Sequence, residues 1–405
     1  MSSLTKFPNS ESTRIWLGPI LLATVLATLI KLYLALFTAG SADVAGYVDY
    51  VAKIHEFGVK AYYYKGPYNN TFNNPPFMIH VLRGLDWLAT ITNLPFPFWL
   101  RLTSTLADVG TIAVMIKIVP KFTSPARATL LLVLLAACPI AIIISGYHGS
   151  TASEMVFLVV LSIYLLGSLN RVWLAGAVFG LALNVKISPL MLALAIFLYL
   201  PDLKSRMKFF AATAAVFFVG SLPYLLQEPG IILKDVFGYN SIYGNWGWTS
   251  LMVRLYPEAP QFARVPFEVI GIHSLFATIG KWIMLAMIVV ASVLMNRQKP
   301  KPPMFLQCSF IMTIFLALTP GFGSQYVMWL MPWVVILGLW PTIVYYAAGS
   351  LYTLMIYTCW AWSASSLFYC EPGVLFYPTL LCWAAVVSLI VFHLRTMRNH
   401  PYANV

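Results

Sequence analysis

The chain has 405 residues, 60% of them hydrophobic and only 9% charged, with a mean hydropathy of +0.80. Soluble domains carry roughly a quarter of their residues as charged side chains, so a soluble fold is excluded. The net charge is +12, but the basic residues sit in short clusters between apolar segments, which speaks against nucleic acid as a partner.

Apolar stretches near the roughly 20 residues that cross a bilayer as a helix recur from end to end, and the alternating short strands of a membrane barrel do not. The fold class is therefore an all-α polytopic membrane protein. In chain order, spans are predicted at about 16–38, 97–119, 128–146, 152–169, 172–185, 188–200, 208–226, 274–295, 304–319, 325–340, 343–362 and 375–392, within a single domain over 1–405. With the N-terminus cytoplasmic, the whole net charge of +12 falls on the cytoplasmic segments and span ends, and the outer side balances to zero. This asymmetry is the positive-inside rule. The five cysteines (Cys138, Cys308, Cys359, Cys370 and Cys382) lie mostly inside spans and predict no disulfide framework.

The first span runs into "SADVAGYVDYVAKIHEFG" (41–58). Ser41 or Asp43 suits the N-cap of a helix, and Val44, Tyr47, Val48, Val51, Ile54 and His55 recur at helical spacing. An interfacial amphipathic helix is expected, with Asp49, Lys53 and Glu56 toward water. "YYYKGPYNNTFNNPPF" (62–77) follows, where Asn73 and Asn74 offer amides on a proline-stiffened backbone, and Phe77–Leu88 reads as a second interfacial helix. These pieces form a long outer loop over 39–96; a second covers 227–273 and contains "YNSIYGNWGWTSLMVRLYP" (239–257), too aromatic for disorder.

Arg101 and Asp108 sit seven residues apart in the second span, on one helical face, where a structural ion pair bridged through a third group is the ordinary reading. Charges within a span by default mark function, and Arg101 near the outer surface suits a phosphate. "ISGYHGSTASE" (144–154) places His148 between two glycines on the outer side; no second His or Cys stands at ligand spacing, so no metal site is expected. Glu154 suits the N-terminus of the next helix. "NVKISP" (184–189) puts Lys186 outside, where topology does not require a positive charge, and Arg254 follows the aromatic Trp246-Gly247-Trp248. "LTPGFGSQYVMWLMPW" (318–333) opens a late span with Gln325 and Tyr326. No phosphate-binding glycine loop, dinucleotide fingerprint, nucleophile elbow or HExxH is present. Asp43, Asn74, Arg101, His148, Lys186, Trp248, Arg254, Gln325 and Tyr326 thus gather at one end of the bundle. That mixture suits a phosphorylated, carbohydrate-bearing ligand.

The order of these motifs resembles the GT-C superfamily, integral-membrane glycosyltransferases that use polyprenyl-phosphate-linked sugars. "NVKISP" and "GFGSQYVMWLMP" are similar to motifs of glycosyltransferase family 87 and of the GPI mannosyltransferase that adds the first mannose. The resemblance implies a GT-C-like bundle of about twelve transmembrane helices. It also implies inverting transfer without a metal or other cofactor, from a lipid-linked sugar donor to a lipid or glycan acceptor at the outer face. The acid just after the first span would be the general base, which falls on Asp43. Some relatives carry Asp-x-Asp there; position 45 here is alanine. The competing class is a transporter or flippase of a lipid-linked glycan, disfavoured by the one-sided polar residues and the lack of an internal repeat.

Overall fold

The structure is a computed structural model and describes residues 15–64, 72–238, 241–257, 269, 271–359 and 375–399. Helix α1 (Leu17–Phe37) is followed by α2 (Ala42–Phe57), α3 (Phe77–Thr92), α4 (Phe96–Ile118), α5 (Pro125–Ala136) and the single turn α6 (Pro139–Ala141). A π-helix, Ile142–His148, continues α6; then come α7 (Ala152–Gly167), α8 (Val172–Val185), α9 (Ala193–Tyr199) and α10 (Leu203–Gln227). The second outer loop holds α11 (Pro229–Ile232) and α12 (Gly247–Leu255). The bundle closes with α13 (Gly271–Arg297), α14 (Met304–Leu318), α15 (Val327–Val334), α16 (Leu339–Cys359) and α17 (Phe376–Asn399).

Every predicted span coincides with a helical segment, and the all-α polytopic class holds. The largest boundary differences have a common cause. Helix α10 begins five residues before the apolar stretch because Asp202 caps it, accepting from Ser205 N at 2.8 Å. Helix α17 likewise runs on through Arg395 and Arg398. Hydropathy marks where the lipid ends; a helix continues until its last turn loses its partners.

Among the described residues, six helical segments are long and apolar enough to cross a membrane: Leu17–Phe37, Phe96–Lys121, Pro125–His148, Leu203–Gln227, Gly271–Arg297 and Phe376–Arg398. Helix α1 buries only Ile20, Ala27, Lys31 and Ala35, one stripe, and exposes Leu22, Val25, Leu26 and Leu29, as a lipid-facing helix should. Helices α14 and α15 are buried almost all round and form the centre. Helices α8 and α10 meet through Gly176 and Gly180. A methyl added at either would lie 2.2 Å from Phe209 O or 2.5 Å from Thr213 O, so only glycine admits that approach.

The second outer loop packs on the turn after α14. Phe322 N donates to Ile242 O at 3.0 Å, and Gly321 lies so close to Ser241 that a β-carbon would fall 2.7 Å from its carbonyl oxygen. Trp246 stacks on Phe322 at 3.8 Å and donates Nε1 to Leu316 O at 2.7 Å. One cysteine expectation is corrected: Cys359, at the end of α16, is disulfide-bonded, while Cys138, Cys308 and Cys382 are free. Cys370, like residues 65–71, lies outside the described residues.

Candidate active site

Helix α2 starts where Ser41, in extended conformation, caps it; Ser41 Oγ accepts from Asp43 N at 3.2 Å. Helix residues advance by about 100° each, so the buried stripe Val44, Tyr47, Tyr50, Val51 and Ile54 also faces Asp43 toward the protein. Val48 and His55, expected on that stripe, lie rotated out of it: Val48 is 44% exposed, and His55 pairs with Asp86 at 2.9 Å. Asp49 lies about 120° round the helix from Asp43 and pairs with Lys53 at 2.7 Å. The two aspartates therefore face different surroundings.

The π-helix meets α2 head on. Gly149 N closes it by bonding Ile144 O at 3.1 Å, with Gly149 left-handed at φ 71°. A β-carbon on Gly149 would sit 2.6 Å from Val44 Cγ2, and one on Gly40 would sit 2.7 Å from the same atom. The two glycines admit Val44 between them, and this close approach brings His148 over the start of α2. His148 Nδ1 lies 2.6 Å from Ser41 Oγ, which also donates to His148 O at 3.1 Å. His148 Nε2 is buried and lies 3.1 Å from Asp43 Oδ2, within ion-pair reach. Tyr357 packs against the imidazole at 4.8 Å and bonds Ser324 Oγ at 2.6 Å.

Asn74 ties this pair to α8. Tyr47 donates to Asn74 Oδ1 at 3.3 Å, and Asn74 Nδ2 donates to Val185 O at 3.1 Å. Lys186, the next residue, caps α8 and feels the charges of Asp43 and Glu154; burial lowers its pKa and the two carboxylates oppose that. Its ammonium makes no hydrogen bond or ion pair among the described residues. Burial works to raise the Asp43 pKa, yet the facing His148 and then Lys186 hold it below the ordinary carboxylate value. Asp43 keeps 39% of its side chain exposed, so an acid that stays ionised is open on one side. Burial raises the Tyr47 hydroxyl, which keeps it a neutral donor. Tyr326 is close enough to feel the Asp43 charge, and its ring stacks on Trp329 at 3.9 Å. Gln325 stands one residue earlier, against Gly323.

Asp43, Asn74, His148, Lys186 and Tyr326 are thus brought together, with Gln325 adjoining. Arg101 is not free to join them. At 1% exposure it donates to Leu34 O, Ala35 O, Thr38 O and Thr38 Oγ1 at the end of α1 and to Pro97 O in its own helix, which occupies its donor set. Trp248 donates Nε1 to Leu318 O at 3.1 Å and packs on Gly280, while Arg254 lies 3.6 Å over the Phe376 ring. Both lie on α12 with separate partners, apart from the group around Asp43.

Sequence reasoning missed three features. Lys31 is the partner of Asp108, at 2.5 Å, in place of a bridged pair with Arg101. A lysine inside a predicted span was the available signal. Glu154 is more than a helix-start residue: Thr103 and Ser104 of α4 donate to its Oε1 at 2.8 and 3.0 Å. Tyr357, in a span rich in tyrosines, carried no signal.

A family model described as Mannosyltransferase (PIG-M) matches residues 144–251. Over that segment the chain is similar to this family of membrane mannosyltransferases, as the motifs had suggested, and the match supports a glycosyltransferase. No curated protein matches the chain. The matched segment holds His148, Lys186 and Trp248 and ends before Arg254; Asp43 lies outside it.

Proposed function

We propose that the chain transfers a hexose, mannose by the family match, from a polyprenyl-phosphate donor to a lipid or glycan hydroxyl, with inversion and without a metal ion. The observation that carries this reading is that His148 and Lys186, both inside the matched segment, converge on Asp43 from outside it. Asp43 is the general base. It takes the proton from the acceptor hydroxyl as that oxygen forms a bond to the anomeric carbon. The bond from that carbon to the donor's phosphate oxygen breaks in the same step, and its electron pair leaves with the lipid phosphate. Lys186, a cation without a hydrogen-bond or ion-pair partner among the described residues, stabilises the departing phosphate. Asn74, Gln325 and Tyr326 offer hydrogen bonds to sugar hydroxyls, and Trp248 with Arg254 forms an approach surface for the donor or acceptor.

A lipid-anchored donor delivers its phosphate at headgroup depth, which fits a base at the start of an interfacial helix. The outer, non-cytoplasmic face is supported by the charge asymmetry. It is also supported by the oxidised Cys359 two residues beyond Tyr357, since disulfides persist in oxidising compartments. The test is transfer from polyprenyl-phosphate [14C]mannose to membrane acceptors by the purified chain. Asp43→Asn, nearly isosteric, is expected to abolish transfer while the protein keeps its elution profile and thermal stability; an active Asp43→Asn enzyme sinks the assignment.

A further inference from the structure

Within the membrane core, Lys31 on α1 and Asp108 on α4 form an ion pair that is 4% and 8% exposed at the side chains. Ser145, on the π-helix, donates to the same Asp108 Oδ2 at 2.5 Å, and Ser153 of α7 meets Ser145 Oγ at 2.8 Å. A buried ion pair is a poor device for stability, because the desolvation of two charges offsets most of their attraction. Its retention calls for another role, and its geometry supplies one.

Ser145 and His148 belong to the same seven-residue π-helix. The middle of that helix is held by the Lys31–Asp108 pair through Ser145; its C-terminal end presents His148 to Ser41 and Asp43. Gly146 lies so close to α1 that an added β-carbon would sit 2.8 Å from Lys31 Cα, so α1 fixes the middle of the segment as well. Apolar packing does not complete the support. A small cavity lined by Lys31, Asp108, Thr111, Met328 and Met331 lies beside the pair. π-Helical segments are strained insertions that recur at functional sites, and this one has polar ties where an α-helix would have regular packing.

We propose that Lys31, Asp108 and Ser145 are positioning residues, a buried polar tie that fixes the π-helix and thereby aims His148 at Asp43. The tie touches no substrate. It rests on the reading of Asp43 and His148 as the reacting site, and it adds that the imidazole position is set from within the membrane.

The full-length chain in detergent tests this with Ser145→Ala, Ser145→Thr and the double variant Lys31→Met/Asp108→Leu, which removes both charges. One readout is kcat and KM for transfer from polyprenyl-phosphate mannose. The other, independent of turnover, is the His148 ring resonance in 15N-histidine-labelled protein, assigned by its loss in His148→Gln. Ser145→Ala is expected to lower kcat about tenfold, the order that a sub-ångström misplacement gives, with donor KM unchanged and the His148 resonance moved. Ser145→Thr restores both. The double variant keeps the fold and the low kcat. A Ser145→Ala enzyme with parental kcat and an unmoved His148 resonance overturns the proposal, as does full activity in the double variant. Should Asp43→Asn remain active, the base assignment fails alone, and the histidine resonance still decides the tie.

Discussion

Gly149→Ala probes the contact on which the whole site depends. The residue sits at φ 71°, where an L side chain pays about 1–2 kcal/mol. Its new methyl would lie 2.6 Å from Val44 Cγ2 and 3.2 Å from Arg101 Cγ. Forcing an extra methyl into packed surroundings costs about 1–3 kcal/mol, so the total is roughly 2–5 kcal/mol. The clash is not relieved by Arg101, whose guanidinium is fixed by its bonds to the end of α1. Relief must come from moving the 148–149 peptide away from α2, which takes His148 away from Asp43. A shift near 1 Å costs on the order of a hundredfold in rate. Val44→Ala removes the nearest atom, at a cost of its own of about 1–2 kcal/mol for the lost methyl burial. The double variant is therefore expected to be more stable and more active than the two single losses predict, with the left-handed penalty remaining. The assay pairs thermal inactivation in detergent with transfer from polyprenyl-phosphate mannose. Parental activity and stability in Gly149→Ala, or strict additivity with Val44→Ala, would refute the argument that His148 is placed by this close approach.

Lys186→Met removes a charge that holds the Asp43 pKa down, so the acid limb of the pH–rate profile should move to higher pH than in the parent. The sign follows from linkage: a carboxylate with a depressed folded pKa contributes stability in full above its ordinary value and loses it as pH falls through the depressed one. An unmoved limb would separate Lys186 from Asp43. Arg101→Ala leaves several buried carbonyls unpaired at about 1–3 kcal/mol each; a large fall in inactivation temperature is expected, with donor KM unchanged in the surviving fraction. Cys359→Ser, or reductant added to the parent, should lower thermal stability by about 2–4 kcal/mol, read by the same inactivation scan.

Much of the bundle was legible because lipid imposes one dominant rule, that spans be apolar and helical. The rule carries little information about helix ends, which is why Asp202 and the basic turn of α17 shifted boundaries. It is also silent on rotation. The α2 stripe was read with Val48 and His55 inside, and its true centre lies on the side of Tyr47 and Ile54. Polar positions were readable as candidates, since a charge near lipid is conspicuous. Their partners were not, because pairing depends on which helices touch. Arg101 and Asp108 share a helical face, yet one ends α1 and the other meets Lys31. Equally, nothing in the spacing of residues 41 and 148 announces a contact between them; two glycines flanking a histidine were its only trace.

The depressed pKa of Asp43 constrains the proposed mechanism. A carboxylate held low is a weak base, and weak bases contribute modestly by proton transfer alone. In the proposed reaction this is offset by timing: the acceptor hydroxyl becomes strongly acidic only as its oxygen bonds the anomeric carbon, so a base that is always ionised suffices late in the step. The burden then falls on geometry. His148 covers one side of the carboxylate and leaves the other open, so the acceptor hydroxyl has one direction of approach. Lys186 ends α8 beside the Val185 carbonyl that Asn74 bonds and feels the Asp43 charge, so in the proposed reaction the phosphate leaves on that side. Such a site depends more on the distance between Asp43 and His148 than on the basicity of either. Losses from Gly149→Ala and Ser145→Ala should accordingly appear in kcat with a moved His148 resonance and an acid limb shifted to higher pH, because His148 also holds the Asp43 pKa down, whereas Lys186→Met should shift that limb with the His148 resonance in place. That contrast separates placement from charge.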